Sequence, residues 1–295
     1  MTTREITKVK VMGGEYGKED LMKMDEVSLR GLLHERAHHN IEVPLYPSLI
    51  KWKDEPIAGF GAQAQIVFDV WRERGFSEDD EDIKWVKRYL DCAAEVRTGR
   101  KPEIPELKVA LPVPFTKEEM KVVHRLIWER RSARGCWTDK YVPDETIEQI
   151  CEAGRAAPIG CNLDEVRFIV LRTPEEKKMM RSDISVENAV IIVLCYDKRP
   201  SHVVGQDRPE AVPQNRELDC AAAADHMLLM THALGLSGVW LTKTNASAQA
   251  FKQQWGLSDQ YEVAMHIAVG WPAMGSIKSA RVPLKYMMLQ RGTKS

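Results

Sequence analysis

The run AVIIVLCY, Ala189 to Tyr196, is the longest apolar stretch in the chain. Alternate side chains of a strand point to opposite faces. A strand with no polar alternation therefore has both faces covered, and the run reads as the central strand of a sheet. It is far too short to cross a bilayer. A chain built around such a strand needs a layer on each side of it.

Candidate layers surround it in sequence. TKEEMKVVHRLIWERRS opens with Thr116 and Glu119 in capping-box spacing, and Met120, Val123 and Ile127 form an apolar stripe at helical spacing. VPDETIEQICEAGRAAP repeats the pattern, with Asp144 as the expected cap and Pro158 as the stop. ELDCAAAADHMLLMTHALGL reads as a long helix ending at Gly235, and its alanines allow close approach of another backbone. ASAQAFKQQWGL is a further helix with Asn245 as the expected cap. VRFIVLR, GVWLTK and YEVAMHIAVGWP read as strands. Helices and strands alternate imperfectly, so the expected class is α+β, a central mixed sheet flanked by helices.

The organisation is expected to be bipartite. Residues 1–114 form an N-terminal extension with helical patches (AQIVFDVWRERG, DIKWVKRYLDCAAEVRTG) and the irregular piece EVPLYPSLIKWKDEPIAGFG. The proline-dense RKPEIPELKVALPVPF then marks a linker or wrapping arm before a second domain, 115–295. Within the second domain, Asp197–Glu217 is a polar excursion between a core strand and a core helix. It suits a lid carrying His202, Arg208 and Arg216, or a plain crossover.

Lys plus Arg is 42 and Asp plus Glu 43, a formal charge of −1, so no electrostatic case exists for nucleic acid or an anionic membrane. The opening MTTREITKVK has no apolar h-region, and a cytoplasmic protein is expected. The six cysteines include no C-x-x-C pair, which excludes a zinc pattern; Cys195 and Cys220 read as small core residues. There is no Walker phosphate loop, no G-x-G-x-x-G after a strand, no G-x-S-x-G elbow and no H-E-x-x-H. His34 and His38 in HERAHH have metal-compatible spacing but no third ligand nearby, and read as a solvated helix end; no metal site is expected.

WERRSARGCW, Trp128 to Trp137, packs three arginines and a serine into five positions. Cations at a helix C-terminus complement its dipole. Guanidinium forks and a hydroxyl also suit phosphate oxygens. Both readings stand on these residues alone.

Four segments in order resemble the flavin-dependent nitroreductase superfamily: RRSARGCWTDKYVPDETIEQICEAGRAAPIGCN, HALGLSGVWL, HIAVGWP and KSARVPL. The similarity runs from about Phe115 to Leu289, roughly 60% of the residues. It implies an intertwined homodimer that binds FMN at the subunit interface and turns over a small aromatic or conjugated molecule, with NAD(P)H a candidate electron donor. It further implies that Arg130, Ser132 and Arg134 serve the phosphate, ribityl chain and pyrimidine end, with Arg131 beside them and Arg281 returning to the phosphate from the tail. Pro158, Gly160 and Asn162 would form a second wall. Thr242, with Lys243 beside it, would form a third, the Thr242 hydroxyl standing at flavin N5 as the catalytic donor. A hydroxyl there favours one-electron steps, as in the iodotyrosine-deiodinase-like and flavin-destructase-like branches. The chain departs from the family after Asn162, where Leu-Asp-Glu-Val replaces the common Gln-Pro-Trp. Asp164 and Glu165 there imply altered substrate or interface contacts. A reductive dehalogenase, a flavin-fragmenting oxygenase and a non-catalytic flavin- or partner-binding protein are the alternative readings.

Overall fold

The computed structural model describes residues 6–104, 112–180, 184–206 and 215–290. The chain begins with a hairpin, β1 (Val9–Val11) and β2 (Gly14–Tyr16), followed by α1 (Lys18–Lys23) and α2 (Glu26–Ala37). A π-helical turn, His38–Glu42, leads straight into α3 (Val43–Ile50); α4 (Ala62–Glu73) and α5 (Glu81–Arg97) complete the N-terminal layer. The sequence reading left Val43–Ile50 irregular because of its two prolines. Pro44 stands where the π turn passes into α3 and Pro47 lies inside α3, so the helix accommodates both at the change of helical register. Trp71, fully buried, sits among Leu29, Leu33, Val67 and Ile83 in the core of this layer.

The second part holds α6 (Lys117–Glu129), α7 (Asp144–Arg155), β3 (Val166–Leu171), α8 (Pro174–Lys177), β4 (Val190–Asp197), α9 (Lys198–Val204), α10 (Asn215–Ala233), β5 (Ser237–Leu241), α11 (Asn245–Trp255), β6 (Tyr261–Gly270) and α12 (Leu284–Met287). Its sheet runs β3-β4-β6-β5, each neighbour antiparallel. The parallel element among the described residues is a bridge from Ser132 to Gly238 at the outer edge of β5.

β4 is central and buried on both faces, as its composition requires. Ile192 and Leu194 pack with Ile150 of α7 and Ala223 and Met227 of α10. Ile191, Val193 and Cys195 pack the other way with Phe251 of α11. Cys195 and Cys220 are core residues, and burial pushes the Cys195 thiol up to about 12. Gly235 follows α10 in the left-handed region, as expected. Two caps differ from expectation by one residue: Pro143 caps α7, and Thr244 caps α11 through a reciprocal pair with Ser247. Asp144 instead lies in the first turn of α7, where its charge suits the dipole and pairs with Arg172.

The two parts share a contact built on α9. A Cβ on Gly31 of α2 would fall 2.6 Å from Pro200 Cβ and 2.9 Å from its Cα. Arg199 binds the buried Asp197 (2.6 Å) and reaches Asp25, the α2 cap (3.1 Å). Gly13 N donates to Val204 O (2.9 Å) and Tyr16 Oη to Val203 O (2.8 Å). The beginning of the Asp197–Glu217 excursion is thus a docking helix with Val203 and Val204 buried, not a lid. His202 on it is exposed, Arg216 lies over the Tyr196 ring, and Arg208 falls outside the described residues. Gly31→Ala is expected to cost about 2 kcal/mol, because the crowding meets backbone as well as side chain. A denaturant midpoint equal to that of the parent would contradict the close approach.

Candidate functional site

α6 ends at Arg130, and the chain then runs extended along the outer edge of β5, with Ala133 N donating to Gly238 O at 3.0 Å. Ala133 is buried, which leaves Ser132 and Arg134 on the opposite side of the extended segment. On its other side Gly238 lets α10 pack closely: a Cβ there would lie 2.8 Å from Leu228 Cδ2. The arginines divide their work. Arg131 turns back, its Nη1 donating to Trp128 O (2.7 Å) and Arg130 O (2.9 Å), and so closes the C-terminus of α6. Arg130 and Arg134 have no carboxylate partner among the described residues. Arg130 and Arg131 line a cleft of about 580 Å³ with His232, Gly235, Ser237 and Ser276.

Thr242 and Lys243 lie just past the other end of β5, as the link to α11. Thr242 is exposed. It stands four positions along the chain from Gly238, about 13 Å at the usual strand rise. Cationic segment and hydroxyl thus mark the two ends of one strand edge.

Pro158 follows α7 and is exposed; Gly160–Asn162 forms a short 3₁₀ turn. The turn carries an unusual backbone, with φ of 53° at Cys161, 56° at Asn162 and 49° at Asp164. Three non-glycine residues in the left-handed region persist only where their surroundings enforce it. Two anchors do so here. Gly160 N donates to both oxygens of Asp219, at 3.0 and 3.1 Å, and Leu163 is buried in the core of the N-terminal layer. Neither anchor was legible as such in the sequence. Asp219 has a faint signal, an acid set directly before Cys220 and an alanine run.

Of the two acids after Asn162, Glu165 is buried and Asp164 stays exposed. Asp164 faces His34 (3.5 Å), and His34 is held by Asp82 at 2.8 Å. His34 is 2% exposed, so it is a buried residue of the N-terminal layer held by Asp82, not the solvated helix end expected. His38 binds Glu42 instead, and no three metal-ligating side chains gather among the described residues. Glu165 is 1% exposed, and burial next to Asp219 pushes its carboxyl up to about 8.

Arg281 is exposed, with its Nη1 donating to Ala280 O. Its segment nevertheless approaches the site: three residues earlier, Lys278 Nζ lies 5.2 Å from the centre of the Trp128 ring, two residues before Arg130. The single chain brings Ser132, Arg130 and Arg134 to one strand edge with Thr242 at its far end. It does not join Arg281 or Asn162 to them directly.

A sheet covered on both sides, with two arginines that lack a carboxylate partner among the described residues along one edge, defines an α+β domain. The pattern of the Nitroreductase family matches residues 127–192 and 186–271. An Archaeoglobus fulgidus protein, provisionally named NADH dehydrogenase/NAD(P)H nitroreductase, is 30% identical over 156 residues, covering 50% of this chain and 84% of its own. A crystal structure of a provisionally assigned nitroreductase from Desulfovibrio desulfuricans, in complex with FMN, is 31% identical. It covers 58% of this chain and 98% of its own, with a TM-score of 0.50. Mouse iodotyrosine deiodinase 1 is 26% identical over 125 residues, 41% of this chain and 44% of that protein. This chain belongs to the nitroreductase family.

Proposed function

We propose that the protein is an FMN-dependent oxidoreductase that takes electrons from NAD(P)H and passes them to a small aromatic or conjugated acceptor. The carrying observation is the pair of carboxylate-free arginines, Arg130 and Arg134, extended along the β5 edge with Ser132 between them. Two guanidinium groups and a hydroxyl in that order fit a phosphate-bearing ligand. The FMN-bound Desulfovibrio relative supports the identity of that ligand.

Arg130, Ser132 and Arg134 would hold the phosphate and ribityl end, Arg281 would close on the phosphate from the tail, and Gly160 and Asn162 would meet the ring. FMN supplies the redox chemistry. The chain's part is to neutralise the dianion, orient the ring and offer the Thr242 hydroxyl as a donor. Exposure of that hydroxyl, with the match to mouse iodotyrosine deiodinase, favours a dehalogenating reading as the second choice. Anaerobic turnover of a halophenol would separate the two. The class itself is tested by the visible spectrum of purified protein: oxidised-flavin bands bleached by NAD(P)H support it, and a colourless protein that does not titrate with FMN rejects it.

The working unit in this reading is a homodimer. α6 has no buried residue, and its stripe of Met120, Ile127 and Trp128 is open, Ile127 at 56%. The tail adds Ile277, Leu284 and Leu289, the last 92% exposed. Apolar surface of this extent marks an interface. β3 also has a free outer edge among the described residues. Sedimentation should give twice the 33.6 kDa chain mass. Ile127→Asp should shift that species toward monomer and lose FMN with it; a monomeric parent protein would refute the dimer.

A further inference from the structure

We propose that Asp219 is a positioning residue for the loop Gly160–Asp164. Its buried carboxylate holds the Gly160 amide and so fixes the left-handed backbone that presents Asn162 to the flavin, and its buried neighbour Glu165 sets the pH at which that hold gives way. The flavin part rests on the function proposed above; the hold on the loop does not.

The geometry is specific. Both oxygens of Asp219 accept from one amide, Gly160 N, at 3.0 and 3.1 Å. Asp219 is 6% exposed and is carried on the first turns of α10, between the loop and the sheet. The next residues, Cys161 and Asn162, both take positive φ. The carboxylate anchors the amide at the entrance of this stretch and the buried Leu163 anchors its exit, so loss of the first leaves the strained turn held at one end.

Glu165 makes the anchor sensitive. The Ser201 hydroxyl stands beside it but gives its proton to Lys198 O at 3.2 Å, and both Glu165 oxygens lack a hydrogen-bond partner. An ionised carboxylate in that position, facing Asp219, would be an uncompensated buried charge. It therefore stays protonated near neutrality, while burial pushes Asp219 upward against the pull of the Gly160 amide. The surrounding charges do not reverse this. Arg216 is over the Tyr196 ring, and Arg167 Nη1 donates to Asp164 O and Val166 O. Glu35 and Arg36, which face Cys161, pair with one another, and the Cys161 and Cys220 thiols are both raised by burial and remain neutral. Above about pH 8 the Glu165 proton leaves, and two carboxylates then share one buried site. Repulsion is relieved by admitting water and letting the loop open.

The first test needs no flavin. Hydrogen exchange of the Ile159–Leu163 peptide in full-length apo protein is measured as a protection factor, corrected for the intrinsic pH dependence of exchange. At pH 7, Asp219→Ala should lower protection at least about tenfold, since one charge-assisted bond is worth that much, and Asp219→Asn, which keeps an acceptor, should restore part of it. From pH 7 to 9 the parent should lose protection and Glu165→Gln should not. Unchanged protection in Asp219→Ala, or identical pH profiles for parent and Glu165→Gln, would overturn the proposal. In the second test, FMN affinity followed by fluorescence should fall with the same pH profile in the parent, and that profile should flatten in Glu165→Gln. A parent that never binds FMN while the exchange results hold would reject the flavin reading and leave the anchor standing.

Discussion

Protein carrying Arg130→Ala and Arg134→Ala together is expected to purify colourless, with FMN affinity reduced by roughly 10²–10⁴-fold. The reason lies in what the two side chains do in the single chain: neither has a carboxylate partner among the described residues. Removing them therefore breaks no internal ion pair. The loss appears in ligand binding, where each charge-assisted bond to phosphate is worth about 1.5–3 kcal/mol, or about 3–6 kcal/mol for the two. Arg131→Ala is the control. Its guanidinium is spent on the carbonyls of Trp128 and Arg130, so its removal should loosen the end of α6 and change FMN affinity far less. Titration by quenching of flavin fluorescence, with circular dichroism to verify the fold, decides it. Equal losses for Arg131→Ala and the double variant would mean that the segment acts through its fold and not through two aimed charges.

The second large effect is on stability. Lys177→Met should lower stability by about 4 kcal/mol and Tm by roughly 8 °C. Lys177 is buried, and its Nζ donates to three backbone carbonyls, Val186 O (3.1 Å), Glu187 O (2.6 Å) and Ala189 O (3.1 Å). Those carbonyls belong to the approach into β4, where Val186 O also accepts from Ala189 N at 3.1 Å. Methionine fills the same volume and supplies no donor, so the Ala189 carbonyl, whose bond to Lys177 is buried, loses that partner. Burial also holds the Lys177 amine below its usual range. Loss of less than 1 kcal/mol in denaturant titration would mean that water replaces the ammonium easily and the site is not closed. Arg172→Met is a useful contrast, because its Asp144 partner is largely exposed and such pairs contribute little.

The acidic departure after Asn162 also has a role inside the fold. Asp164 and Glu165 stand out in sequence because they replace a common motif, and altered substrate contact is a natural expectation. In the fold, Leu163 between Asn162 and this pair enters the N-terminal core, and Glu165 is buried while Asp164 stays exposed. Asp164 then meets His34 and Glu165 meets Asp219. The N-terminal layer is consequently part of the loop's support. A truncation before Pro112 would expose Val203, Val204 and Leu163 together, and should cost FMN retention as well as any substrate effect.

Local chemistry alone determined much of this protein. The burial of β4 on both faces, the Thr116–Glu119 cap, the Gly235 stop and the α+β class all follow from side-chain periodicity and terminal residues, which act over a few positions and leave their pattern in the chain. The cation-hydroxyl spacing of Arg130, Ser132 and Arg134 belongs to the same kind, because alternation on an extended segment needs only the next two residues. Tertiary structure decided the rest. Which arginine closes a helix and which stays free, that Asp219 holds an amide 59 residues away, and that His34 is buried all depend on surfaces brought together by packing. Contacts across such distances arise from shape and desolvation between elements, and no short stretch of sequence carries the position of its partner.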